Sequence, residues 1–198
     1  MSTATEKKSG TPLHYTVTAG LRIACERNSG NKSRIRRAWS QDHTTVLPYL
    51  AGLGVRGDDR TDSALLVAGA IGYGLKHEPG VSVGKMLQHL YRATRGAGDT
   101  MNPDPEKQTG NLPSAIRRLT ASEFNRIDVL RPILMRCKNE GLALDHGMLL
   151  ADLWYWDEGK ARKWISDFYS NRQSSVESEA PTAEEQDGES ESSDTVEE

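Results

Sequence analysis

Residues 61–75 read TDSALLVAGAIGYGL and include the longest apolar run of the chain. Thr61 or Asp62 is a suitable N-cap, which predicts a helix that continues to residue 75. Three glycines stand inside this predicted helix: Gly69, Gly72 and Gly74. An interior glycine costs roughly 1 kcal/mol relative to alanine, so its presence needs a reason. Small residues at this spacing allow a second helix to approach closely, and we expect such a contact here.

Helical patterning extends from this stretch in both directions, and no period-2 alternation between hairpin turns indicates a strand. Pro48 and Pro132 are expected to disturb their helices, since proline is tolerated only in the first turn. The remaining predicted helices are 17–28, 33–39, one that starts at Asp42 or Thr44, 83–95 after a Ser82 cap, 113–121, 123–139, one from Asp145 to Trp156, and 159–172. The predicted class is all-α.

The composition divides the chain into five parts. Residues 96–110 are rich in Gly, Pro, Asp and Asn and contain little that can pack, which is typical of a loop or linker. We therefore predict two small helical bundles: an N-terminal lobe over 15–95 and a C-terminal bundle over 113–172, joined by residues 96–112. Residues 1–14 and 173–198 are polar and are expected to be disordered.

The charge of the chain is unevenly distributed. Residues 173–198 hold ten of the 28 acidic residues and no Lys or Arg. All 25 basic residues therefore oppose 18 acidic ones in 1–172, which gives this body a charge of 25 − 18 = +7. A basic helical body favours a polyanionic partner. The acidic tail either folds back on the basic surface as a competitor of non-specific DNA or is a solubilising appendage.

No motif in the chain predicts catalysis, a metal or a cofactor. Gly52–Gly57 matches GxGxxG by letter, but it follows a helical stretch and has no βαβ unit around it. The five histidines have no metal-ligand spacing, and the two cysteines are interpreted as buried free thiols. The N-terminus has no apolar signal region, so we expect a cytoplasmic protein without enzymatic activity.

Basic clusters are the positive signal for function. Arginine predominates over lysine in them, and its guanidinium group suits bidentate contact with phosphate oxygens. Solvated faces with internal ion pairs are the alternative interpretation for any single arginine. The clustered residues are Arg34, Arg36, Arg37, Arg117, Arg118, Arg126, Arg131, Arg136, Lys138, Lys160, Arg162 and Lys163.

An ordered set of segments resembles the small subunit of the type I-E CRISPR surveillance complex Cascade, the CasB family. The resemblance covers roughly residues 17–169 and rests on order and spacing. The segments are GNKSRIRR at 30–37, SVGK at 82–85, AIRRL at 115–119, VLR at 129–131, LD at 144–145, LWYW at 153–156 and WISDF at 164–168. Pro132, directly after Arg131, departs from the basic helix usual in this family.

The resemblance implies two helical bundles, two copies of the chain in each complex, and no enzymatic activity. It also implies contacts with the backbone and large subunits that carry the guide RNA, and with target and displaced single-stranded DNA in the R-loop. By position, the family's basic residues correspond to Arg34, Arg36, Arg37, Arg60, Arg117, Arg118 and Arg131. With Lys138, Lys160, Arg162 and Lys163, they make up the eleven predicted nucleic-acid contacts. The alternative is a structural scaffold whose arginines pair with acidic partner subunits.

Overall fold

The computed structural model describes residues 11–40, 42–95, 111–121 and 126–170. It confirms the all-α class over these residues. The α-helices in chain order are α1 Leu13–Arg27, α2 Ser29–Arg36, α3 Leu47–Gly52, α4 Asp58–Tyr73, α5 Val83–Arg95, α6 Asn111–Thr120, α7 Arg126–Asn139, α8 His146–Trp154 and α9 Glu158–Tyr169. Short 3-10 turns lie at Arg37–Trp39 and His43–Thr45, and two strands, β1 Lys76–His77 and β2 Ala143–Leu144, complete the described elements.

The central helix is α4, whose residues from Ser63 to Gly72 are all buried. It begins at Asp58, three residues before the earlier of the two predicted caps. Gly57 precedes it with φ +86°, a conformation that favours glycine and turns the chain into the helix. The helix ends at Gly74, whose left-handed backbone lets its N–H bond the carbonyls of Ala70 and Ile71.

The expected close approach is confirmed at Gly69 and Gly72, whereas Gly74 lies after α4 as its C-cap and has no close neighbour among the described residues. A Cβ added to Gly72 would lie 2.5 Å from the backbone nitrogen of Arg36, and one added to Gly69 would overlap the Trp39 ring. The Trp39 indole N–H donates to the Leu66 carbonyl oxygen at 2.7 Å. Because these glycines have no side chain, α2 and the turn after it pack directly on α4.

Helix α5 packs on α9 in a similar way. Gly84 faces the α9 backbone at Trp164, where no Cβ fits. Ser82 caps α5 as predicted, since its Oγ accepts the Lys85 N–H at 3.3 Å while it donates to Asp167 Oδ2 at 2.5 Å. The Gln88 side-chain amide donates to the Phe168 carbonyl at 3.1 Å.

Buried apolar residues on either side of segment 96–112 form a single cluster. Helix α1 packs on α8, and α4 packs on α7 and α8. The division into two lobes stays a prediction, and most of its proposed linker lies outside the described residues.

Helix α1 begins at Leu13, within the segment 1–14 that the sequence assigns to disorder. The acidic tail, 173–198, also lies outside the described residues.

The sequence patterns did not predict β1 and β2, which pair in parallel with Lys76 opposite Ala143 and His77 opposite Leu144. Strands of two residues are too short to show an alternating pattern. Asp145 follows β2 and caps α8 as predicted, accepting the N–H groups of Gly147 and Met148 at 2.9 and 3.1 Å.

The two prolines behave differently from one another. Helix α3 begins at Leu47, so Pro48 lies in its first turn, where no intrahelical donor is lost. Pro132 lies inside α7, which continues through it as one helix rather than splitting.

Within the ranges that the structure describes, no helix is both long and apolar enough to cross a membrane.

Candidate nucleic-acid interface

The first basic cluster lies on α2 and the 3-10 turn after it. Asn28 caps α2 by accepting the Gly30 N–H at 2.7 Å. Ile35 and Ala38 are buried against α4, which leaves the intervening arginines exposed on the outer side. The buried positions thus fix a rigid helical turn from which Arg34, Arg36 and Arg37 project.

These three arginines have different partners. The Arg36 guanidinium lies over the Tyr73 ring at 5.4 Å from its centroid. Arg37 forms an ion pair with Asp42 at 3.4 Å, and both side chains are more than half exposed (53% and 60%), so this pair contributes little to stability. Arg34 forms no ion pair with any described residue. Arg34 and Arg36 therefore have no described carboxylate partner, and the exposed Arg37–Asp42 pair is weak enough for phosphate to replace Asp42.

Arg60 lies in the first turn of α4 and is exposed. Its guanidinium lies over the rings of Trp154 and Tyr155, at 5.4 and 5.7 Å. The Trp154 indole N–H donates to the Arg60 carbonyl oxygen at 3.0 Å. The end of α8 thus holds the start of α4 and orients this arginine, while the Tyr155 ring is 50% exposed.

Helices α6 and α7 present the next group of cations. Arg117 and Arg118 are exposed on α6, whose core side is formed by the fully buried Ile116 and Leu119. Arg131 and Lys138 are exposed on α7, and the Lys138 ammonium donates to Asn139 Oδ1 at 3.4 Å.

Two of the three basic residues on α9 form ion pairs with carboxylates at the start of the same helix. Asp157 caps the helix and contacts the Lys160 ammonium at 3.1 Å, and Arg162 pairs with Glu158 at 3.0 Å. The hydrogen bonds that Asp157 accepts from the Lys160 backbone and side chain lower its pKa. Lys163 has no carboxylate partner among the described residues, and its ammonium lies 3.8 Å from Met148 Sδ.

Arg126 is a basic residue outside the eleven predicted contacts, and its contacts are with the protein itself. Its guanidinium lies 4.0 Å from the centroid of the Trp156 ring, and its Nε donates to the Leu119 carbonyl at 3.1 Å. Burial lowers its pKa. This arginine therefore joins α6, α7 and the segment after α8.

The eleven predicted contacts do not form one compact cluster. Contacts of Arg36 with Tyr73 and of Trp39 with Leu66 show that α2 and its turn run antiparallel to α4. Arg36 and Arg60 therefore lie near opposite ends of α4, separated by thirteen positions or about 20 Å along the helix axis. Arg60 and Lys163 both lie beside α8.

Aromatic support of the arginines is the feature that sequence patterns missed. Tyr73 carries no motif, and the aromatic residues 154–156 enter the sequence analysis only as part of the LWYW segment. Only the signal of three consecutive aromatic residues after an amphipathic helix pointed to this segment. Nothing in the sequence assigned Trp154 and Tyr155 to Arg60 in particular.

The described residues contain no group of three or more His, Cys, Asp or Glu side chains that could hold a metal ion. Both cysteines are free thiols. Cys137 is buried, which raises its pKa to about 12, while Cys25 is only partly buried. A buried thiol with a raised pKa is a poor nucleophile.

Comparison with known proteins identifies the family. The model of the family described as CRISPR-associated protein Cse2 matches residues 31–169, from the first turn of α2 to the last residue of α9. This range contains all eleven predicted contacts and covers 139 of the 198 residues. No curated protein and no solved structure matches the chain. The chain therefore belongs to the CRISPR-associated Cse2 family, the small subunits of the type I-E Cascade complex in CRISPR defence.

Proposed function

We propose that this Cse2 chain is a non-catalytic, nucleic-acid-binding subunit that stabilises the R-loop in the cytoplasm. Its exposed cations contact the phosphates of target and displaced DNA without reading bases. R-loop formation exchanges one duplex for another of similar stability, so backbone contacts are sufficient to bias it. The partners are the backbone and large Cascade subunits with their guide RNA, and a second copy of this chain.

One observation carries this proposal: most of the predicted contacts form no ion pair with a carboxylate in the part of the chain that the structure describes. Arg37, Lys160 and Arg162 of the eleven form ion pairs with described carboxylates. Seven others form no ion pair with a described carboxylate: Arg34, Arg36, Arg60, Arg117, Arg131, Lys138 and Lys163.

The stacking of Arg36 and Arg60 on aromatic rings supports the same function. A guanidinium held over a ring loses less rotamer freedom when it binds phosphate. A cation–π contact does not use the N–H groups of the guanidinium as hydrogen-bond donors, so they remain for phosphate oxygens. Such contacts favour the phosphate backbone over bases and are sensitive to salt.

Removing Arg34 and Arg37 tests this function in reconstituted Cascade. We expect Arg34→Ala with Arg37→Ala to leave folding intact, since both side chains are exposed. If 4–6 phosphates of single-stranded DNA are neutralised in the parent complex, the log–log salt slope of R-loop binding is about −3 to −4. Losing two contacts reduces its magnitude by about 1.4. R-loop affinity measured between 50 and 300 mM salt gives this slope.

The matched control is Arg56→Ala with Lys76→Ala, which removes two exposed cations outside the eleven predicted contacts. This control is expected to keep the parent slope. A slope unchanged in the Arg34/Arg37 variant would contradict direct phosphate contact by this cluster.

A structural scaffold is the second candidate function. It is favoured by large apolar side chains exposed on α1, namely Leu13, Tyr15 and Ile23, of which Ile23 is 45% exposed. Such side chains suit contact with another subunit. In this function, the arginines pair with acidic groups of neighbouring subunits.

Charge reversal separates the two functions. If the arginines contact DNA, Arg34→Glu with Arg37→Glu is expected to co-purify with the complex at parent stoichiometry and to weaken R-loop formation at least tenfold. If the arginines serve assembly, the same variant is lost from the complex before any DNA is added. Subunit stoichiometry after affinity purification distinguishes these results.

A further inference from the structure

A cavity of about 560 Å³ lies between α1, α2, α4, β1 and the start of α8. Its polar lining comes from Arg22 and Glu26 of α1, Lys32 of α2, His77 of β1 and His146 at the start of α8. Glu26 and Lys32 are exposed, so the cavity reaches the surface at their side. None of these residues belongs to the eleven predicted contacts. An inference about this cavity is therefore independent of the proposed function.

Three polar atoms at this cavity have no hydrogen-bond partner within the described ranges. Arg22 Nη1 and both ring nitrogens of His146 are buried and unpartnered among the described residues. His146 is only 1% exposed as a residue. Buried polar groups in native proteins are nearly always satisfied by protein, water or a ligand. Ordered water or a bound ligand must therefore supply hydrogen-bonding atoms to Arg22 and His146.

The polar atoms of the cavity are mostly donors. The His146 backbone N–H donates to His77 Nδ1 at 3.4 Å, which places the proton of the neutral His77 ring on Nε2. Burial lowers the pKa of both histidines, and the charge of Arg22 lowers them further. The Asp145 carboxylate opposes this shift at both rings, and a hydrogen bond with the Leu144 backbone opposes it at His77. Each neutral ring then offers one N–H donor, next to the guanidinium of Arg22 and the ammonium of Lys32.

The charge of the lining favours an anion over a cation. Arg22 and Lys32 oppose the single carboxylate of Glu26. A divalent metal is disfavoured because a guanidinium and an ammonium lie at the same cavity, and three metal-binding side chains do not come together within the described ranges. An oxyanion with several acceptor atoms matches donors that converge from α1, β1 and α8.

We propose that this cavity binds a phosphate group, with Arg22 and Lys32 as its charged donors and the rings of His77 and His146 as neutral donors. A tetrahedral phosphate accepts hydrogen bonds in several directions at once, as this arrangement of donors requires. The cavity is also larger than a single phosphate and falls in the size range of small-ligand sites, which leaves room for an attached nucleoside.

Thermal unfolding of the full chain tests the site with inorganic phosphate as the probe. Phosphate is varied at constant ionic strength with sodium chloride, so that general screening cancels. We expect Tm to rise by roughly 3–6 °C when phosphate exceeds its Kd about tenfold. Arg22→Met is expected to abolish this rise, whereas Arg56→Met, at an exposed arginine away from the cavity lining, retains it.

A second readout keeps the test independent of how Arg22→Met folds. In the wild-type chain with nitrogen-15-labelled histidine, phosphate is expected to shift the ring signals of His77 and His146 and to leave the exposed His89 unchanged. Absence of both the Tm rise and these shifts at 20 mM phosphate would mean that the cavity holds water only and would overturn the site. A Tm rise that persists in Arg22→Met would place the phosphate elsewhere and would overturn it equally.

Repeating the Tm measurement with thymidine monophosphate and with thymidine distinguishes a nucleotide phosphate from free phosphate as the ligand. A larger Tm rise with the monophosphate than with inorganic phosphate assigns the site to a nucleotide phosphate, and equal rises assign it to free phosphate. A rise with thymidine alone that matches the monophosphate would show that the base and sugar are bound instead, which overturns phosphate recognition.

Discussion

Gly72→Ala is expected to lower the stability of the chain by about 2 kcal/mol. The added methyl group would lie 2.5 Å from the Arg36 backbone nitrogen and 2.7 Å from its Cα, and backbone atoms cannot rotate away as a side chain does. Overpacking of this kind costs roughly 3 kcal/mol, and the better helix propensity of alanine returns about 1 kcal/mol. For a chain of this size, Tm is expected to fall by roughly 4–8 °C in calorimetry.

Gly52→Ala is the matched control. Gly52 is the last residue of α3, and nothing lies within 4 Å of an added Cβ. The same substitution there is expected to be neutral or to stabilise by up to about 1 kcal/mol, since it reduces the freedom of the unfolded chain. Equal Tm values for the two variants would show that α2 does not rest on α4 at Gly72.

The Gly72 contact also connects packing with the proposed function. Displacing α2 moves Arg34, Arg36 and Arg37 together, because all three project from one turn. A Gly72→Ala chain that still folds is therefore expected to weaken R-loop binding about as much as the loss of Arg34 and Arg37, although no charge has been removed.

Acidification is expected to destabilise the chain through His146. Burial, aided by the charges of His77 and Arg22 and opposed by Asp145, lowers its pKa from 6.5 to about 3 in the folded state. Between these two values the unfolded chain binds more protons than the folded one, so stability is fully present above pH 6.5 and is lost as pH falls. This single group accounts for a loss of about 2 kcal/mol between pH 8 and pH 5.

Chemical denaturation of wild type and His146→Gln at pH 8 and pH 5 measures this effect. Glutamine is uncharged at both values, so the variant is expected to lose about 2 kcal/mol less than wild type over this interval. Asp152, whose pKa burial raises, contributes in the opposite direction but is present in both chains and cancels in the difference. His89→Gln, on an exposed position of α5, controls for loss of an imidazole and is expected to follow wild type. Identical pH dependence in all three chains would contradict a neutral, buried His146.

Local features of the fold were predictable because their causes lie within one helical turn. Ser82 and Asp145 cap α5 and α8 as their side-chain chemistry indicates, since a cap needs only a short acceptor and the N–H groups two or three residues later. The predicted cap of α4, Thr61 or Asp62, was wrong by at least four residues. Gly57 precedes this helix with a backbone conformation of positive φ and no side-chain acceptor, so the sequence shows no capping residue at this position.

The candidate site was predictable only as a set of exposed cations. The alternation of buried Ile35 and Ala38 with arginines indicates which side chains face outward, because one helix determines that pattern. Pairing with carboxylates was not predictable in general. Arg162 finds Glu158 within its own helix, whereas the carboxylate available to Arg37 depends on how the following turn folds.

The sequence by itself determined an all-α chain, the caps of α5 and α8, the glycine contact surface of α4, the basic body with its acidic tail, and membership of the Cse2 family. Each of these depends on residue type and short-range spacing. Only the tertiary structure decided that Arg60 lies over Trp154, 94 residues away, and that Arg22, His77 and His146 meet at one cavity. Such contacts depend on how the buried faces of α1, α4 and α8 pack together, and that packing minimises exposed apolar surface over the whole chain rather than over any one segment.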